Sequence, residues 1–143
     1  MAKRGTGKLA SLKRQAQRAG WAKWIRSEAD ERAVLNGCRF DIERAEHVET
    51  WARKYLRFCE GEWYGRPFEL MDWQRDELLF PLFGWVHDSE EWGRTVRRFR
   101  RVYCQLPKKS GKSPTGALVG LYMLVGDGER GASVFSAATD KDQ

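Results

Sequence analysis

The sequence predicts an α/β chain: amino-terminal helices followed by the first βαβ unit of an incomplete parallel sheet. Two observations carry that reading. Through the first half, apolar residues recur three or four apart, the spacing of a helix with one buried face. The pattern then changes to a short aromatic and apolar run at 99–106, a polar loop, an apolar stretch at 115–125 and a second short run at 132–136. The length of 143 residues and the 41% hydrophobic content suffice for one domain with a core.

Taken in order, Gly5-Thr6-Gly7 opens the chain flexibly, and Leu9, Leu12, Ala16 and Ala19 predict a short amphipathic helix. From Asp41 to Glu60 the signal is stronger. Ile42, Ala45, Val48, Ala52, Tyr55, Leu56 and Cys59 share a face, with acids early and Arg53, Lys54 and Arg57 late, as the helix dipole favours. Gly61 and Gly65-Arg66-Pro67 should end it. A further helix starts near Asp72, carries Trp73, Leu78, Leu79, Leu82 and Phe83, and is kinked or shortened by Pro81. After the polar stretch 88–93, Phe99–Leu106 reads as a strand and Pro107–Lys112 as a tight loop. Thr115–Val125 reads as a helix stopped by Gly126-Asp127-Gly128, and Ala132–Ser136 as a second strand. Thr139 with Asp142 resembles the cap of one more helix.

Charge divides the chain unevenly. Residues 1–26 hold eight Lys and Arg and no acid, which leaves 18 basic against 20 acidic residues in the rest. We therefore divide the chain into a basic arm, 1–40, and a folded region, 41–143. Such an arm either meets polyphosphate, gaining affinity by counterion release, or is simply solvated. No run approaches the roughly 18 apolar residues of a membrane span, and the basic residues continue to Lys23 and Arg26 without the apolar core of a signal peptide. Cys38, Cys59 and Cys104 are too widely spaced for a zinc site and are expected to be buried thiols of a reducing compartment.

The segment Leu106-Pro107-Lys108-Lys109-Ser110-Gly111-Lys112-Ser113 matches the phosphate-loop pattern GxxxxGK[ST] at its end and departs from it at Leu106. In that pattern Gly111 lets the backbone approach a phosphate, Lys112 reaches the β- and γ-phosphates of ATP, and the Ser113 hydroxyl holds Mg²⁺. The alternative is a basic surface turn, and the predicted strand before and helix after favour the nucleotide reading. Pro114 removes one N–H from the helix start, a loss that Thr115 could offset.

Together these segments resemble the large terminase subunit of tailed bacteriophages, over about residues 40–143. The resemblance rests on Gly65-Arg66-Pro67-Phe68-Glu69-Leu70 with Trp73-Gln74, Leu82-Phe83-Gly84-Trp85, the arginine-rich run into the loop, and Ser136-Ala137-Ala138-Thr139-Asp140-Lys141-Asp142-Gln143. It implies an ATPase that drives double-stranded viral DNA into a procapsid. The implied partners are a ring of like subunits, the portal protein and a small terminase subunit, in the host cytoplasm and with no membrane. It also implies endonuclease activity in the full-length parent. It accounts for Leu106, since such loops dispense with the first glycine and place a basic residue four before the lysine. Here that residue is Lys108, a point charge where the family has the planar fork of arginine. It implies that Lys109, Ser110 and Gly111 line the loop and that Trp73 and Gln74 contact adenine. Read from the residues alone, Trp73 is a core side chain.

Arg94, Arg97, Arg98, Arg100 and Arg101 could line a DNA track or face a neighbour, but a solvated edge strand explains most of them. His47 and His87 have no partner spacing for a metal or a triad. No apolar strand ending in adjacent acids follows Ser113, where such an ATPase organises Mg²⁺. We expect the chain to be the amino-terminal portion of a longer protein and to hydrolyse ATP negligibly alone. Two other readings remain: a helicase-like phosphate-loop DNA translocase, and a non-enzymatic basic DNA-binding protein.

Overall fold

A computed structural model of the chain describes residues 3–129 and 131–137. They pack as two compact units, Met1–His47 with Leu70–Tyr103 and Val48–Glu69 with Cys104–Gln143.

In the first unit, the basic arm becomes helix α1, Lys3–Arg18, longer at its start than the apolar spacing alone marks. Its Ala16 is fully buried, and it packs on a second helix, α2, Glu28–Leu35. Hydrophobic spacing does not announce α2, but capping does. The Ser27 hydroxyl accepts from the Asp30 N–H at 3.2 Å, and the Asp30 carboxylate accepts from the Ser27 N–H at 3.0 Å. This reciprocal box satisfies two donors that the helix start would otherwise leave bare.

The sheet of this unit is antiparallel, in the order β1 (Arg39–Phe40), β2 (Trp85–Ser89), β3 (Arg94–Arg97). Phe40 lies opposite Trp85, Val86 opposite Arg97 and Asp88 opposite Thr95. The polar stretch 88–93 thus supplies the end of β2 and the hairpin turn. Trp24 stacks on Phe40 at 4.4 Å, and Phe40 meets Trp85 edge-on at 5.8 Å. Those three rings form the core with Val34, Phe80, Phe83 and Val86.

Helical residues 72–84 precede β2. They turn in a wide π-helix over Gln74–Leu79, where Phe80 N–H reaches back five residues to Arg75, before α4, Phe80–Gly84. Pro81 explains the widening. It has no N–H to donate and its ring crowds the carbonyl four residues earlier, so the turn ahead of it opens and the helix continues. The expected kink is thus a change of helical pitch.

The second unit contains residues 48–55 of helix α3, Ile42–Tyr55. The helix stops five residues before Glu60, where periodicity alone would carry it. Leu56 accepts from Phe68 N–H, Phe58 N–H donates to Arg66, and the Phe58 and Phe68 rings stack at 4.8 Å. Pairing across the 57–67 turn wins over helical propensity here. Arg57 then caps the helix, its Nη1 donating to the carbonyls of Arg53, Lys54 and Leu56. After the loop comes α5, Lys112–Leu121, which runs into a wide turn at Tyr122–Gly126 where Tyr122 packs against Trp51 at 5.5 Å.

The parallel βαβ unit expected around α5 is not shown. Neither 99–106 nor 132–136 lies in a strand, and Val102, Tyr103, Val134 and Phe135 are exposed while Phe99 and Leu106 are half-buried. A parallel strand is covered on both faces by helices and bonded to neighbours on both edges. Two such segments cannot supply that environment for each other. The cap read at Thr139 and Asp142 lies outside the described residues. The cysteines also differ from expectation: all three are free, but only Cys38 is half-buried, with burial pushing its thiol up, while Cys59 and Cys104 are exposed. Among the described residues no helix is long and apolar enough to cross a membrane.

Candidate phosphate-loop site

The loop of the second unit is built around two left-handed residues. Lys109 has φ +65°, and Gly111, which caps α5, has φ +74° and ψ +21°. Glycine adopts that region freely. A lysine does so at a cost of order 1 kcal/mol, of the kind that persists where the surroundings over-determine the backbone. Local hydrogen bonds provide that determination. Ser110 Oγ donates to the Pro107 carbonyl, closing the turn from inside, and Lys112 Nζ donates to the Leu106 carbonyl at 2.9 Å. The motif lysine therefore folds back across its own loop. Leu106, the departure from the sequence pattern, serves through its carbonyl, which any residue supplies.

Left-handed turns that feed a helix start gather backbone N–H groups into a concave, positive surface. The first N–H groups of α5 have no acceptor within the helix. Lys108, Lys109, Lys112 and Ser113 are exposed beside them, with Ser110 and Gly111 half-buried. The arrangement fits an anion.

It does not gain from Thr115 as the sequence reading allowed. The Thr115 N–H and hydroxyl both donate to the Gly111 carbonyl, at 3.0 and 2.7 Å, and the residue is buried. Thr115 locks the first turn of α5 and leaves the N–H missing at Pro114 unreplaced. Its signal was a hydroxyl four residues past a capping glycine, the position from which a side chain bonds back along the helix. For a metal, the loop offers the exposed neutral hydroxyl of Ser113, the Ser110 hydroxyl being turned to the Pro107 carbonyl. Among the described residues, no three His, Cys, Asp or Glu gather where they could hold an ion. Mg²⁺ fits here only as a companion of the phosphates that carry it.

Comparison of the chain with protein-family models, with curated proteins and with solved structures returns no match. What the site can do rests on its own geometry.

Trp73 and Gln74 belong to the first unit. Trp73 is half-buried. Gln74 is almost wholly buried, and its Oε1 accepts from the Met71 N–H at 2.8 Å. That reach from the third helical position back to the residue before the helix is one half of a capping box. The side-chain oxygen thus has a structural task whatever else the amide does. Gln74→Ala should lower unfolding stability by about 1 kcal/mol, since it removes the cap from the Met71 N–H at a helix start and empties the buried site of its side chain; urea unfolding followed by tryptophan fluorescence measures it.

The arginine run divides by task. Arg97 lies 5.5 Å from the Phe83 ring and Arg94 5.9 Å from that of Trp92. Arg98 turns inward, its Nη1 donating to Asp30 at 2.6 Å and its guanidinium lying 4.9 Å from the Trp85 ring. Arg98 is therefore no part of a solvated edge. Arg100 and Arg101 are exposed.

Proposed function

We propose that this chain is the ATP-binding portion of a terminase-type DNA-packaging motor. The observation that supports the reading best is the loop itself: a left-handed lysine and a left-handed glycine lead into a helix start, with Lys112 drawn over the concavity. In this reading Lys112 exchanges the Leu106 carbonyl for the β- and γ-phosphates, replacing a neutral acceptor by charged ones. Ser113 completes the shell of Mg²⁺. Ser110, Gly111 and Lys109 present backbone to the phosphates and Lys108 adds a point charge at the γ-phosphate; the terminase resemblance alone assigns adenine to Trp73 and Gln74. Bound ATP supplies the phosphoryl group whose transfer to water drives translocation. In the intact motor, like subunits form a ring on the portal of a procapsid in the host cytoplasm. A small terminase subunit selects the double-stranded DNA, and a nuclease domain cuts it.

Titration of the chain with ATP and Mg²⁺, read by calorimetry, tests the nucleotide site. Lys112→Ala should weaken binding by about 10- to 100-fold, the worth of a hydrogen bond from a charged donor. Ser113→Ala should remove the gain that Mg²⁺ gives and leave binding of free ATP unchanged. Equal affinity of the wild-type and Lys112→Ala chains, or no binding by either, would sink the nucleotide reading and favour a basic DNA-binding protein.

A further inference from the structure

We propose that the outer face of helix α1 is a docking surface for the phosphate backbone of duplex nucleic acid. In its DNA partner this rests on the motor reading, but it needs nothing from the loop.

The helix sorts its residues sharply. Leu9, Leu12 and Ala16 face the core of the first unit, with Ala16 fully buried and the two leucines half-buried. Lys13 is taken up by an ion pair with Glu31 on α2. Of the other acids on α2, Asp30 is held by Arg98, and Glu28 is exposed at the helix start. Arg14 and Arg18 remain on the opposite side and Lys8 on its flank, all exposed, with Ser11 between them. At roughly 100° per residue they occupy about 120° of the circumference, and at 1.5 Å per residue they extend over about 15 Å. A row of that length can follow several phosphates of a duplex.

The same observations choose among polyanions. A helix that lies in a lipid surface inserts its apolar face; the apolar face of α1 is already spent against α2. Proteins that hold single strands stack bases on aromatic rings; residues 1–20 contain no aromatic residue at all. Cations and a hydroxyl without rings are the means of sequence-independent contact with a duplex backbone.

The test is fluorescence anisotropy of the full chain with a labelled 20-base-pair DNA of arbitrary sequence, without nucleotide, across a series of NaCl concentrations. The triple variant Lys8→Gln/Arg14→Gln/Arg18→Gln should bind about tenfold more weakly or worse. Its log–log salt slope should be shallower by about 2 to 3, near one for each phosphate that the variant no longer neutralises. Ser11→Glu, one exposed change on the same face, should weaken binding in the same direction and guards against misfolding of the triple variant. Lys54→Gln, the loss of an exposed cation elsewhere on the chain, should bind the duplex nearly as the wild type does. If the wild type binds DNA and the triple variant matches it in affinity and slope, the surface is elsewhere and the assignment to α1 falls. Wild-type binding to a 20-nucleotide single strand as tight as to the duplex would overturn the assignment. So would triple-variant loss confined to phosphatidylserine vesicles.

Discussion

Gly84→Ala is expected to destabilise the first unit by about 2 kcal/mol net, although alanine is the better helix former. Two effects compete. Helix propensity favours the substitution by about 1 kcal/mol, since Gly84 closes α4 in a conformation open to any residue. Against it, a Cβ at this position would lie 2.5 Å from the Phe40 ring. That ring cannot give way, being stacked on Trp24 on one side and set edge-on to Trp85 on the other. The Gly84 carbonyl also accepts the Asp41 N–H at 2.7 Å, which pins the backbone on which the Cβ would sit. Overpacking of a core costs about 1–3 kcal/mol, and a rigid neighbour places this case at the upper end. Chemical denaturation of the single variant measures the loss. A double variant with Phe40→Leu should be more stable than the sum of the two single changes allows, because the smaller side chain removes the overlap.

Arg98→Ala should cost about 3 kcal/mol or more, the range for removing one partner of a buried ion pair. Arg98 and Asp30 keep only 17% and 13% of their side-chain surface exposed, so the carboxylate left behind would be both desolvated and unpaired. The pH dependence distinguishes this from simple loss of packing. Burial raises the Asp30 pKa, but hydrogen bonds from Arg98, from the Ser27 hydroxyl and from the Arg26 N–H outweigh it, and the group sits below its ordinary 3.8. A carboxylate whose pKa is lowered by folding contributes stability that is complete above the unfolded value and lost as pH falls through the folded one. In the variant the strongest of those opposing bonds is gone, so protonation relieves the strain there. The gap between wild type and variant should therefore narrow at acid pH, because the folded variant takes up the Asp30 proton at a higher pH than the folded wild type does. A constant gap from about pH 7 to 3 would show that Asp30 carries none of the effect.

Both predictions concern residues whose importance was only partly legible. Gly84 stands in the segment Leu82-Phe83-Gly84-Trp85, but nothing in the sequence says that a phenylalanine 44 positions earlier lies against it. Arg98 looked like one member of a charged run, and a sequence pattern cannot tell an arginine facing water from one clamped over a tryptophan. Local chemistry was read more successfully. The helix after the loop, read at Thr115–Val125, and the helix read from Asp41, which runs Ile42–Tyr55, were both accessible from spacing and composition. What failed were choices decided by distant partners. Residues 56–60 left the helix to pair with 66–68, and Trp85–Ser89 became a strand because Arg39–Phe40 and Arg94–Arg97 flank it. The loop carried its own signal, but Lys109 in a left-handed turn and the bond from Lys112 to Leu106 required coordinates.

The first unit is assembled from two separated lengths of chain, and this has a consequence for how the protein is made. Its sheet needs Phe40 to meet Trp85, and its clamp joins Asp30 to an arginine 68 positions later. During synthesis α1 and α2 emerge early, yet the surface that covers them is not translated until Arg98 leaves the ribosome. Until Phe80 and Trp85 emerge, Trp24 and Phe40 have no partner ring from the second length. Contacts so distant in sequence carry a loop-closure cost before any return, which slows folding and prolongs exposure of apolar surface. A nascent chain stalled before residue 85 should therefore be open to proteases and to chaperones, and one stalled well past residue 98 should be protected.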